Sequence, residues 1–129
     1  AFYGCSGLTS INIPNSVTTI GGSAFASCSG LTSCTIGNSV TSIGTNAFTN
    51  CTSLTSVTIP YSVTIIGERA FRYCSGLTSI TVNTTTPPAL GNQAFYGSTC
   101  NIYVPASAVN TYKNASGWNS YSSRIQAIP

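Results

Sequence analysis

Cysteine is the residue type here with the most chemistry to offer, and four of the six cysteines, Cys5, Cys28, Cys51 and Cys74, recur every 23 residues. Such a set could bridge, hold a metal or attack a substrate. A metal site wants close pairs such as Cys-x-x-Cys, and none occurs. Disulfides would suit an exported chain. If the period reflects stacked coils, however, equivalent residues lie about 4.8 Å apart, wider than the Cβ separation of about 3.8 Å that a bridge prefers. The reading that fits is structural: small buried hydrophobes filling a repeated turn. Cys34 falls on an inward strand position and reads as core. Cys100 lies outside the series, and whether it is free is left open.

Acid–base and nucleophilic chemistry find little to work with. There is no His and no Asp, and the one carboxylate, Glu68, has Arg69 beside it. Proton transfer in a transition state needs a positioned titratable group. A Ser or Thr nucleophile needs a base, and the single lysine, Lys113, lies in the C-terminal segment. The chain is expected not to be an enzyme and to need no cofactor and no metal.

The same scarcity limits partners. Glu68, Arg69, Arg72, Lys113 and Arg124 make up 4% of the 129 residues, where about 25% is typical. Four scattered cations cannot neutralise the several phosphates a nucleic-acid binder engages, so no nucleic acid is expected. No apolar run approaches the roughly 18 residues needed to cross a bilayer, so no membrane insertion is expected either. The polarity comes from 39 Ser and Thr residues.

These residues are positioned by a repeat. Leu8, Leu31, Leu54 and Leu77 keep the 23-residue step of the cysteines. So do Val17, Val40 and Val63; Ile20, Ile43 and Ile66; and Gly21, Gly44 and Gly67. All five Phe hold one position, Phe2, Phe25, Phe48, Phe71 and, after a one-residue slip, Phe95, each preceded by Ala1, Ala24, Ala47, Ala70 or Ala94. A fixed period of this size signals a solenoid. Leu8 to Ile13 reads Leu-x-x-Ile-x-Ile, a period-two strand signal stopped by Pro14. Val17 to Ile20 is a second short extended piece, and Ala24 to Cys28 suits one tight turn. Each coil is therefore strand, bend, short strand, turn. Neighbouring coils must stack to bury their apolar edges.

The expected fold is a mostly β repeat solenoid, a stack of 23-residue coils over residues 1–98 with a partial first unit and about four coils. A C-terminal cap covers residues 99–129. In it Asn101 to Pro105 reads as one more strand and Ser107 to Ala115 as a short helix starting near Pro105 or Ser107. Trp118, Tyr121, Ile125 and Ile128 are expected to cover the last coil. Asn83 to Pro88 replaces the usual bend. The chain opens on the tail end of a unit, so it is expected to be part of something longer. Its open first coil, with Phe2 and an unpaired strand edge, is expected to favour end-to-end self-association.

The unit Cys51-Thr-Ser-Leu-Thr-Ser-Val-Thr-Ile-Pro-Tyr-Ser-Val-Thr-Ile-Ile-Gly-Glu-Arg-Ala-Phe-Arg-Tyr73 resembles the BspA-like leucine-rich repeat of bacterial and some protozoan cell-surface proteins. The resemblance rests on the Cys, the Leu-x-x-Val-x-Ile-Pro strand, Ser-Val-Thr, Ile-Gly and Ala-Phe. It implies a secreted or cell-surface protein with adhesin-like binding to host or neighbouring-cell proteins. Ser16, Ser39 and Ser62 depart from the general leucine-rich consensus, where Asn or Cys is common.

A binding face can be located from the pleat. Between the inward residues, Ser10, Asn12, Ser33, Thr35, Ser56, Thr58, Ser79 and Thr81 point outward, flanked by Thr9, Thr32, Thr55 and Thr78. Stacking makes them a lattice of hydroxyls, without charge or aromatic rings in it. Solenoids present extended binding faces in this way, and an ordinary sheet also shows a solvated face. The leading expectation is a protein-interaction module acting through this face. A structural spacer without its own ligand is the alternative, and an ice- or glycan-binding lattice comes third.

Overall fold

The structure is a computed structural model that describes residues 2–129; Ala1, which opens the Ala series, lies outside the described residues. Ten strands form two parallel sheets. The longer strand of each coil is β1 (Ser10–Ile13), β3 (Ser33–Ile36), β5 (Ser56–Ile59) or β7 (Ser79–Val82), and the shorter is β2 (Thr19–Ile20), β4 (Ser42–Ile43), β6 (Ile65–Ile66) or β8 (Ala89–Leu90). The cap adds β9 (Asn101–Val104) and β10 (Ile125–Ala127), so the larger sheet runs β1-β3-β5-β7-β9-β10 and the smaller β2-β4-β6-β8. The repeat solenoid read from the 23-residue spacing is the fold observed.

Each column has a reason in the sequence. The alternating β-branched residues of the long strands suit a pleat buried on one side, so Ile13, Ile36, Ile59 and Val82 face the core. The five Phe rings form a continuous stack from Phe2 to Phe95, with centroids 5.1–5.9 Å apart and ring planes within 16° of parallel. The glycines after β4, β6 and β8, Gly44, Gly67 and Gly91, are needed for close approach, whereas Gly21 after β2 has open space around it. A Cβ on Gly67 would lie 2.6 Å from the backbone nitrogen of Thr45, and a backbone atom cannot turn aside as a side-chain tip can.

The tight turn forms a third hydrogen-bonded wall that the residue pattern did not announce. Phe25 N–H donates to the Ala47 carbonyl (2.8 Å), Ser27 to Thr49 (2.7 Å), Phe48 to Ala70 (2.7 Å) and Asn50 to Arg72 (2.8 Å). Each of these donors points to the following coil, whereas beside the smaller sheet Gly44 N–H donates back to Ile20 of the preceding coil (2.8 Å). Two residues per turn adopt left-handed backbone, Ser23 and Ser27 in one coil, Asn46 and Asn50 in the next, then Arg69 and Tyr73. Ser and Asn tolerate that region; a bulky ring such as Tyr73 does so at a cost.

The cap closes the far end. Its first turn is a 3-10 helix (Ala106–Ala108) directly after Pro105, and only Val109–Asn114 is α-helical (α1), shorter than the 107–115 helix expected. A second 3-10 helix (Trp118–Arg124) and β10 were not foreseen. Trp118 and Tyr112 are fully buried, edge to face at 5.0 Å, and Trp118 and Tyr121 pack on Phe95 at 6.0 and 5.4 Å. Tyr121 also offers its hydroxyl to Phe95 N–H (3.3 Å), the turn-wall donor that has no following coil. Ile125 is buried, but Ile128 is 37% exposed and does not cover the coil. Its N–H still joins the ladder, donating to Val104 (2.9 Å).

The one-residue slip is absorbed in the loop before β8. Ile65 pairs with Ala89 where the other coils keep a 23-residue step. The cap pins that loop: Tyr112 donates its hydroxyl to the Thr84 carbonyl, and Trp118 Nε1–H donates to Pro88 (2.8 Å). Among the described residues no helix is long and apolar enough to cross a membrane.

Candidate functional site

Of the twelve residues singled out, Ser10, Asn12, Ser33, Thr35, Ser56, Thr58, Ser79 and Thr81 lie in strands of the larger sheet, and Thr9, Thr32, Thr55 and Thr78 immediately precede those strands. Register sets Ser10, Ser33, Ser56 and Ser79 in one column, which Asn101 of the cap extends. Asn12 pairs with Thr35, and Thr58 with Thr81, followed by Tyr103 and then Gln126. The cap therefore lengthens both columns with amide and phenol groups that the repeat pattern could not reveal, because β9 and β10 lie outside the period. Ser79 and Thr81 are half-buried, and the other ten are exposed.

The hydroxyls of this face divide by partner. In the flanking Thr9, Thr32, Thr55 and Thr78 column, Thr32 donates Oγ1–H to the Thr9 carbonyl (3.0 Å) and Thr78 to Thr55 (3.1 Å). These hydroxyls hold one coil to the one before it. The Ser and Thr side chains of the two central columns make no such bonds among the described residues. A second Thr ladder runs beside the smaller sheet, with Thr41 donating to Thr18 and Thr64 to Thr41, both at 3.2 Å.

The cysteine column is built into the backbone. Cys28, Cys51 and Cys74 are fully buried free thiols, and Cys5 in the first coil is half-buried. Each buried Sγ donates to a Phe carbonyl of the preceding coil: Cys28 to Phe2 (3.0 Å), Cys51 to Phe25 (3.1 Å) and Cys74 to Phe48 (3.1 Å). The sequence gives the position of this column but not the bond, since a thiol is a weak donor usually counted as a hydrophobe. Burial pushes the Cys28 and Cys100 thiols above their ordinary value and Cys34 up to about 12. These three stay protonated near neutrality, whereas the side-chain hydrogen bond with Cys74 lowers Cys51. Ser98 takes the column position after the slip and donates to Phe95 (3.0 Å), while Cys100 sits buried beside it.

Charge collects on the turn wall. Glu68 pairs with Arg69 at 3.7 Å, Arg69 Nε–H donates to Gln93 (3.0 Å), and the Arg72 guanidinium lies 4.7 Å from the Tyr73 ring centroid. Arg124 donates to the Ser98 carbonyl (2.9 Å) and lies over Tyr121.

The sequence profile of the BspA type leucine-rich repeat region matches residues 1–120 in six copies. A leucine-rich repeat protein of Bacteroides ovatus is 30% identical and superposes with a TM-score of 0.75, covering 98% of this chain and 32% of its own. A leucine-rich cell surface protein of Faecalibacterium prausnitzii is 38% identical over 67% of this chain and 23% of its own, with a TM-score of 0.64. The chain thus spans about a third or less of these solved proteins. Among functionally curated proteins none matches.

Proposed function

Because the chain belongs to the BspA-type leucine-rich repeat family, we propose that it is a non-catalytic, adhesin-like interaction module of a cell surface, meeting an extracellular or host protein through the strand face of its larger sheet. The observation that carries this reading is the pair of central columns, of which the Ser column is in register over five strands from Ser10 to Asn101, and whose side chains spend no hydrogen bonds on their own fold among the described residues. A partner's backbone and polar side chains would find donors and acceptors at a fixed pitch. The family resemblance and the Faecalibacterium cell surface protein support the location.

Size sets the expected strength. Six strands of about four residues span roughly 24 by 13 Å, about 300 Å², against about 800 Å² per partner in a stable complex. This stretch alone therefore binds weakly, and a longer run of like coils, or several copies displayed together, would gain by avidity. The test is capture of matrix proteins or host cells by chains clustered on a bead. Retention that rises with chain density supports the module. A folded chain that captures none at any density refutes it.

The second reading is a spacer, favoured by near-identical coils of low charge. Excising one coil would then change reach and leave any binding intact, whereas a binding face would lose affinity with each coil removed.

A further inference from the structure

The core columns repeat almost without variation, but the column that follows the Phe residues does not; in it Ala26 and Thr49 are buried, Arg72 is half-buried, and Tyr3 and Tyr96 are exposed. The residue after each Phe is Tyr3, Ala26, Thr49, Arg72 and Tyr96. It lies on the turn wall, away from the strand face. Large residues at Tyr3 and Arg72 enclose small ones at Ala26 and Thr49, with Asn46 and Asn50 alongside, and the result is a trough of about 230 Å³. Its ends are three coils apart, about 14 Å, the length of a short oligosaccharide.

Charge gives the trough a preference. The chain's one carboxylate is engaged with Arg69, and among the described residues Arg72 has no ion-pair partner. Its Nε is buried without a hydrogen-bond acceptor, and its guanidinium is held over the Tyr73 ring. Tyr73 itself takes left-handed backbone (φ 60°) where the neighbouring coil has Asn50, so a strained ring is kept in the place that fixes Arg72. At the opposite end Tyr3 is 68% exposed, an aromatic surface for the C–H face of a sugar ring. Thr49 donates its hydroxyl to the Arg69 carbonyl (2.8 Å), with Asn46 Oδ1 3.3 Å away, which leaves the amide N–H₂ of Asn46 and the Asn50 side chain for sugar hydroxyls.

We propose that this trough binds a carboxylate-bearing saccharide, its acid group on the terminal nitrogens of Arg72 and its ring chain running toward Tyr3. An arginine fork matches a carboxylate in geometry as well as charge. An aromatic surface with a few convergent amides suits a saccharide better than an extended peptide, which would seek a sheet edge.

Two sources share this chemistry, a terminal sialic acid and a uronic acid chain. Sialyllactose and trigalacturonate are therefore titrated by NMR against the full chain, with lactose and the methyl ester of trigalacturonate as neutral counterparts. The expected result is binding by at least one acid, and by neither neutral counterpart, with shifts at Arg72, Asn50 and Tyr3. Arg72→Gln weakens it by at least about tenfold, the loss of a charge-assisted pair. Tyr3→Ala, remote from the core, weakens it as well and guards against misfolding of the arginine variant. Ser56→Glu with Thr58→Lys on the strand face leaves it unchanged, so this site and the protein-binding face stand or fall separately. No binding of either acid, equal binding of the neutral sugars, or undiminished binding by folded Arg72→Gln would overturn the proposal.

Discussion

Replacing Phe48 with alanine probes the stack where it is most complete. The side chain is fully buried, with Phe25 at 5.3 Å on one side and Phe71 at 5.1 Å on the other. Truncation removes its buried area and leaves a void between two rings that the flanking backbone ladders hold apart. The loss should be about 3–5 kcal/mol, a large share of the stability of a domain this size. Phe2 occupies the same column with the same stacking, 5.3 Å from Phe25, but is 41% exposed and has one neighbour. Phe2→Ala should cost only about 1–2 kcal/mol. Urea denaturation followed by fluorescence of the single Trp118 gives both values, and thermal melting should show a drop of roughly 15 °C for Phe48→Ala. A solenoid couples each coil mainly to its neighbours, so position along the stack must matter. Equal losses for the two variants, to within about 0.5 kcal/mol, would refute the column as the organising core.

Three further outcomes follow from single groups. Cys34 lies between Ile11 and Val57 in register and is 8% exposed. Its folded value of about 12 lies above the ordinary 9.0, so between those limits the unfolded chain ionises first and stability falls as pH rises, by up to about 1.4 kcal/mol per pH unit from this thiol. Cys34→Val should flatten that alkaline decline and be nearly neutral at pH 7; an unchanged alkaline slope would count against the buried thiol. Gly67→Ala, whose Cβ meets backbone at 2.6 Å, should destabilise by more than about 2 kcal/mol, and a melting temperature equal to the parent's would show that the coils can part there. The apolar hollow of about 330 Å³ at the first coil, lined by Phe2, Ile13, Val17 and Phe25 among others, should make the chain self-associate through that end. Sedimentation should show concentration-dependent growth that Phe2→Ser reduces, and a monomer at all concentrations would exclude it.

The columns were legible because identical apolar residues at a fixed step can be buried in only one way, by stacking. Leu31, Leu54 and Leu77, or Val40 and Val63, needed no further information. The cap was legible only in part. Ile125–Ala127 is three residues long with Gln126 in the middle, too short to show a period, and it becomes a strand because β9 offers an open edge. The Ala-Phe repeat marked the turn, but not its hydrogen-bonded wall, since those bonds run backbone to backbone and depend on left-handed residues as varied as Ser23, Asn46 and Arg69. Of the candidate site, the outward Ser and Thr columns followed from the pleat, but their division into laddered and free hydroxyls did not. The trough did leave a signal in the sequence. Tyr3, Ala26, Thr49, Arg72 and Tyr96 vary directly after an Ala-Phe pair that every unit keeps.

The most direct test of the strand face as a binding surface is an array of matrix proteins probed with the clustered chain and with its Ser56→Glu, Thr58→Lys double variant. Both positions are exposed in mid-sheet, so the variant should fold as the parent does. The account predicts a protein signal for the parent that the double variant loses and Arg72→Gln keeps. A signal that survives the double variant would contradict it and place protein binding elsewhere on the solenoid.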